Sequence, residues 1–456
     1  MKKATLAIVL TALAIFLIPF AAWLFWLGTE QNGLARIQAK MWAEGLPMTA
    51  TDLFPAVSAA EENAAPLLRE AYVEIEKLPK GSPLLDRRPG SAIEKSDTAR
   101  CPQAERDRMK AAFAEPPAGA AISLLRQAAN KEKCWFDRDY SKGPGLVLPD
   151  LGNVLKASKL LLNHAFLLAA DGDSAGATRD IRAVLRIARF YSEDPALISW
   201  LVGEANAGVC FPAITAVAAT GRGLTPDEAK ALEGAVKGRL ALMRPSLLRA
   251  LDGERIFFGS WIFEQLLSSN PAAAAALMGG GSSKSALFSR IGFWLYSVPL
   301  RPLLLADYSA YLRSMREVRR LVADPLAGGP GLKTILANIP RTAFLTRLAM
   351  PAYDGVLNRF NVDEAACHLA ILGLRAEKFR LTSGRYPRDL LELARGGRLP
   401  PDPFTGRDFV YRESGGDILI YSVGSDGVNN AGNPKRENGQ SDIVWTVRRS
   451  AAGAGN

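Results

Sequence analysis

Histidine is almost missing from this chain, with two in 456 residues. His164 lies in the apolar helical stretch "LLNHAFLL" and reads as a satisfied core histidine. His368 follows Cys367, but neighbours on a helix point about 100° apart, so the two do not form a dyad. Also missing are GxSxG, HExxH, a Walker loop and a dinucleotide fingerprint. "YSVGSDG" (421–427) comes nearest to a nucleophile elbow, but Val423 stands where that motif needs glycine. Cysteine is scarce: Cys101, Cys134, Cys210 and Cys367 show no CxxC spacing, which leaves a zinc site unsupported. Cys101 and Cys134 sit in polar stretches that an oxidising compartment would allow to join. Cys210 and Cys367 sit in apolar helical contexts, as buried thiols do. No long basic block exists either. The excess of 56 Lys+Arg over 46 Asp+Glu is spread along the chain without interleaved aromatics, which argues against a nucleic-acid groove.

One long hydrophobic run is present. Lys2 and Lys3 precede 25 uncharged residues, Ala4 to Gly28, with Trp23 and Trp26 near the far end. As a helix this run reaches about 37 Å, enough to cross a hydrocarbon layer of about 30 Å with some tilt. A cleaved signal peptide is the alternative, but its apolar region is shorter, and Phe20-Ala21-Ala22 is a poor cleavage site because Phe20 occupies a position that wants a small side chain. The expectation is an uncleaved transmembrane anchor over 1–28. Its short Lys-Lys tail favours a cytoplasmic N-terminus, placing the bulk of the chain on the periplasmic or extracellular side.

The following residues read as mainly α. Residues 29–150 form a juxtamembrane helical region. Over 151–245, Leu151, Val154, Leu155, Ser158, Leu162 and Ala165 keep the helical period, "ADGDSAG" punctuates, and Ile181, Val184, Leu185 and Ala188 form the next stripe. One further helix is expected through 195–219, and Thr225-Pro226 with Glu228 forms a capping box for another. The layout is that of tetratricopeptide-like helical hairpins, without a 34-residue period to establish repeats. Arg179, Arg182, Arg186 and Arg189 share a helix face that would suit an acidic partner, or is simply solvated. Residues 246–355 form a helical region with a Gly-rich break. In it "LFSRIGFWLYSVPLRPLLL" is expected to be buried or interfacial and cut short at Pro299 and Pro302.

From 356 to 447 the pattern is a long helix, a short helix and three strands in an antiparallel α+β arrangement, followed by a flexible tail, 448–456. A polar loop rich in Gly, Asn and Asp separates the last two strands. The segment is punctuated by Tyr386-Pro387; Pro400, Asp402-Pro403, Gly406 and Tyr411; and Tyr421-Ser422, Gly424, Asp426-Gly427 and Asp442-Ile443. In order and spacing this segment, about 80 of 456 residues, resembles the globular domain of the major pseudopilins of type II secretion systems. The chain departs from that family at its start. It has no short basic leader followed by Phe-Thr-Leu-Ile-Glu, and about 330 residues separate the apolar run from the head.

The resemblance implies a calcium-holding loop with Asp426 and Asp442 as acidic ligands. Asn429, Asn430, Asn438 and Ser441 are the neutral candidates, because Ca²⁺ takes 6–8 oxygens. Lys435 and Arg436 beside two carboxylates imply weak affinity. The alternative is a loop ordered by side-chain-to-backbone bonds alone. The functional expectation is a non-enzymatic, membrane-anchored envelope protein that binds or assembles with envelope or secretion proteins. Its rival is a membrane-anchored hydrolase using a carboxylate pair in the helical domain.

Overall fold

The computed structural model describes residues 2–54, 62–86, 103–220, 223–268, 286–324, 331–394, 399–414, 416–433 and 441–447. Cys101 and Asn438 lie outside the described residues. Among the described residues the fold is mainly helical with one three-stranded antiparallel sheet. The principal helices are α1 (Lys2–Ala43), α2 (Ala65–Glu76), α3 (Pro116–Ala129), α4 (Asp150–Ala170), α5 (Ser174–Ser192), α6 (Leu197–Gly208), α7 (Cys210–Ala219), α8 (Pro226–Gly253), α9 (Ala286–Ala323), α10 (Leu332–Ala337), α11 (Phe344–Ala349) and α12 (Ala352–Ser383). The strands are β1 (Val410–Ser414), β2 (Asp417–Ser422) and β3 (Ile443–Val447). The chain divides into two compact units: Met1–Pro55 with Asp139–Leu146 and Leu251–Gly355, and Ala56–Arg138 with Val147–Ala250 and Val356–Asn456.

In the first unit, α1 continues well past the apolar run. Trp23, Leu27, Glu30, Leu34 and Ile37 are half-buried and Met41 is buried, a spacing of four and three that keeps one stripe turned inward. This stripe accompanies packing of α1 along α9. The Trp23 Nε1 donates to the Pro299 carbonyl at 3.2 Å, and Arg316 Nε donates to Glu44 Oε2 at 2.6 Å. The contacts advance together along both helices, so α1 and α9 run parallel. Leu13, Ile15, Phe16, Leu17, Ile18 and Phe20 of α1 keep their side chains outside, with Phe16 76% and Ile18 68% exposed. Contrary to the sequence expectation, α9 passes through both Pro299 and Pro302. Each proline removes one amide from the helical ladder. The helix nevertheless continues, and its Leu305, Tyr308, Leu312, Met315 and Val318 are buried.

In the second unit, α4 and α5 pair as a hairpin. Asp173 caps α5 through the Gly176 amide at 2.8 Å, which makes "ADGDSAG" a helix-to-helix turn. The expected single helix over 195–219 is two, α6 and α7, with Val209 between them. Their combined apolar stretch, Leu197–Ala219, is long enough to cross a membrane but 61% buried, as a core helix is. The capping box at α8 is present: Glu228 Oε2 accepts from the Thr225 amide at 2.8 Å and Thr225 Oγ1 from the Glu228 amide at 3.3 Å.

The sheet order is β1-β2-β3, with Val410 opposite Tyr421 and Ile418 opposite Val447. Ile418, Ile420, Trp445 and Val447 are buried. Helix α12 brings Gly373 against the Trp445 indole so closely that a Cβ at 373 would overlap the ring. That close approach seats β3 and thereby places the end of the polar loop.

Candidate functional site

In the polar loop between β2 and β3, the described residues converge on one carboxylate. Asp442 is 3% exposed, immediately before β3. Its Oδ2 accepts from the Gly432 amide at 2.6 Å and its Oδ1 from the Asn430 amide at 3.3 Å. The Asp442 amide returns a bond to the Asn433 carbonyl at 3.1 Å. Between the two donors, Ala431 adopts φ +59°, and it is the one non-glycine with positive φ among the described residues. A left-handed residue in such a turn aims successive N–H groups into one concavity, the arrangement that receives anions. Here the protein's own carboxylate fills it.

Asn429 holds the next shell of the loop. Its Oδ1 accepts from the Tyr421 hydroxyl at 3.0 Å and from the Ala431 amide at 2.9 Å. Tyr421 is buried in β2, so strand and loop are tied at this second point. Asp426 is exposed, and its Oδ1 accepts from the Val428 amide at 2.9 Å, closing its own turn. Asn430 and Ser441 are half-buried. Among the described residues of the loop, side-chain-to-backbone bonds tie it at each of these points. As a test of fit for calcium, the oxygens are of the right kind, but Asp442 and Asn429 already accept from N–H or O–H groups. Among the described residues no three His, Cys, Asp or Glu side chains group to hold a metal.

The remaining residues of the sequence pattern also have physical roles. Tyr386 donates its hydroxyl to Glu377 Oε2 at 2.6 Å, and Glu377 is 1% exposed. The Tyr411 hydroxyl donates to the Pro387 carbonyl at 2.6 Å. Asp402 is buried, accepts from the Phe404 amide at 2.9 Å and exchanges backbone bonds with Gly406 and Arg407. Gly406, at φ +68°, allows that turn to close.

Sequence reasoning missed a buried ionic cluster in the same unit. Glu204 is fully buried. Its Oε1 accepts from Ser192 Oγ at 2.8 Å, and its Oε2 pairs with Arg239. Asp363 is buried nearby and accepts from Arg359 Nε at 2.7 Å. Burial pushes the Asp363 carboxyl up to about 6, against the pull of Arg359. Of these two carboxylates, Glu204 lies in the helical domain where the hydrolase alternative places its pair. Glu204, however, is sealed from solvent and held by an arginine, whereas glycoside-type chemistry needs carboxylates that reach substrate and water.

A pH dependence follows from Asp363. The folded state holds its proton up to about 6, while the unfolded chain releases it near the ordinary value of 3.8. Between these values the folded state binds more protons, so stability falls as pH rises. The expected contribution is about 1–3 kcal/mol lost between about pH 4 and 6.5. Comparing urea midpoints of wild type and Asp363→Asn across this window checks it, since the asparagine variant lacks this component of the slope.

His164 Nδ1 lies 2.6 Å from Oδ2 of the fully buried Asp180, whose Oδ1 accepts from Arg126 Nε at 2.7 Å. The histidine is partnered, as its apolar context implied. In the arginine row, Arg179 and Arg182 are exposed, Arg186 Nη2 donates to the Lys131 carbonyl at 2.8 Å, and Arg189 pairs with Glu193 at 2.7 Å. Cys134, Cys210 and Cys367 are free thiols. Comparison of the chain with protein-family models, with curated proteins and with solved structures finds no match.

Proposed function

We propose that this chain is a membrane-anchored envelope protein that acts by binding and assembly, presenting a pseudopilin-like head on a helical scaffold. The observation that carries the reading is the exposed apolar surface of α1 from Leu13 to Phe20. The apolar window in Leu13–Ala43 is 0% buried, and leaving such a surface in water is costly. A bilayer removes that cost and leaves α1 spanning it, with Trp23 and Trp26 at the interface. The partners in this reading are the membrane and other envelope or secretion proteins. A polar loop tied to an ordered sheet suits contact better than chemistry, because the buried carboxylates described above are enclosed.

Calcium has a secondary place in the same reading. Asp442 closes the loop through amides, and Ca²⁺ would add at the exposed Asp426 carboxylate with Asn430 and Ser441 as neutral oxygens. Affinity would fall in the weak extracellular range. Both parts are tested on one preparation. Membranes carrying the full chain are washed with alkaline carbonate, and the protein retained is solubilised and melted with EDTA or Ca²⁺. Retention in the pellet is expected. At about 10 mM Ca²⁺ and a Kd of about 1 mM, binding adds about 1.4 kcal/mol, which Asp426→Ala removes. Release by carbonate would overturn the anchor. An equal melting temperature with and without Ca²⁺ would remove the ion and leave the amide closure standing.

A further inference from the structure

Helix α11 presents its apolar residues outward. Phe344 is 70% exposed and Leu348 71%, four residues apart and so on one helix face. The opposite side is bolted down. Thr346 is fully buried, its Oγ1 donates to Asp307 Oδ1 at 2.6 Å, and Asp307 also accepts from the Leu345 amide at 2.8 Å and the Thr346 amide at 3.1 Å. Asp307 itself is 3% exposed on α9. The outward face is therefore fixed in position relative to α9.

The height of that face along α1 can be read from the helix pair. Trp23 meets Pro299, and α9 runs parallel to α1. Asp307 is eight residues beyond Pro299, about 12 Å at about 1.5 Å per residue. Gly28, which ends the apolar run, is five residues beyond Trp23, about 7–8 Å on the same scale. The anchorage of α11 thus lies about 4–5 Å past the end of the spanning segment, within the depth of a headgroup layer. Charge agrees with that level. No acidic residue occurs between Asp324 and Asp354, whereas Lys333, Arg341 and Arg347 lie there and are exposed. Exposed apolar residues beside cations at interfacial height are the composition of a segment that lies in a membrane surface.

We propose that α11 is a second membrane contact, in which Phe344 and Leu348 enter the headgroup region of the bilayer spanned by α1 and Arg341 and Arg347 meet anionic lipid headgroups. This rests on the membrane-anchored reading. The contact would hold the first unit at a fixed tilt and height over the surface, where a single helix alone would let it swing.

The test uses full-length protein in liposomes of zwitterionic lipid with and without an anionic lipid. A trace of lipid carrying a photoreactive group near the glycerol is included, and labelled peptides are identified by mass spectrometry. Label is expected on both α1 and α11. The Phe344→Glu/Leu348→Glu variant should lose about tenfold of the α11 label, the factor that accompanies about 1.4 kcal/mol, with α1 labelling unchanged. Arg341→Gln/Arg347→Gln should lower the α11 label in anionic liposomes and leave it unchanged in zwitterionic ones. Label on α1 without label on α11 would overturn the proposal while the anchor stands, and would assign the face to a protein partner or a second copy. Absence of label from both would overturn the anchored reading itself.

Discussion

Asp442→Ala lowers the stability of the C-terminal sheet and its loop by about 2–4 kcal/mol, because two buried or half-buried amides lose their acceptor at once and each unsatisfied donor costs about 1–3 kcal/mol. The donors are those of Asn430 and Gly432, flanking Ala431 in its left-handed conformation. That conformation is held by the surrounding bonds and relaxes when they go. Asp442→Asn should fall between wild type and alanine. It retains one oxygen acceptor but turns an NH₂ group toward an amide donor. Urea unfolding of the full chain in detergent, followed by tryptophan fluorescence, checks both variants. Unchanged midpoints would mean that Asp442 does not organise the loop.

Removing one partner of the Glu204–Arg239 pair has an effect of similar or larger size. Both side chains are buried, and Glu204 has no route to solvent. Glu204→Ala takes from the buried Arg239 guanidinium its directly bonded carboxylate, and Arg239→Met takes from the Glu204 carboxylate its directly bonded cation. Each should cost about 3–5 kcal/mol. The double variant Glu204→Leu/Arg239→Met should recover most of the loss, because replacing a buried ion pair by apolar side chains of similar volume is often close to neutral. A double-mutant cycle on the same urea transitions measures the coupling. Additive losses would show that the two residues act independently and that the cluster is not a unit.

The two kinds of feature were unequally legible. Helices α4, α5 and the start of α8 are written in local chemistry: a stripe with the helical period, an Asp173 cap, and the Thr225–Glu228 box. The order of helix, short helix and three antiparallel strands was legible for the same reason, since each depends on neighbours in sequence. Helix α9 was not, because proline signals a helix end locally and says nothing of the partner helix along which α9 packs. The extension of α1 to Ala43 was likewise hidden by the end of the apolar run at Gly28, beyond which only its pairing stripe remains. The ionic cluster joins Glu204, Arg239 and Asp363 from three distant helices, a pairing that no spacing rule reveals.

The loop falls between these cases. Its Gly, Asn and Asp content signals a tight, side-chain-rich turn, but the same residues serve a cation with their oxygens or complete a turn through their own amides. What separates the alternatives is the direction of the N–H groups of Asn430 and Gly432, a backbone property that composition does not encode. In the structure they point to Asp442. The sequence also left Tyr421 without a role beyond its pattern, although its hydroxyl is the second tie through Asn429.

Residue-resolved hydrogen exchange on the full-length protein in EDTA is the most direct test of loop closure by Asp442. Protection of the Asn430 and Gly432 amides without any divalent ion, lost in Asp442→Ala, is the expected result. Exchange of both amides at solvent rates in EDTA, with protection gained only on adding Ca²⁺, would contradict it and make the ion the organiser of the loop.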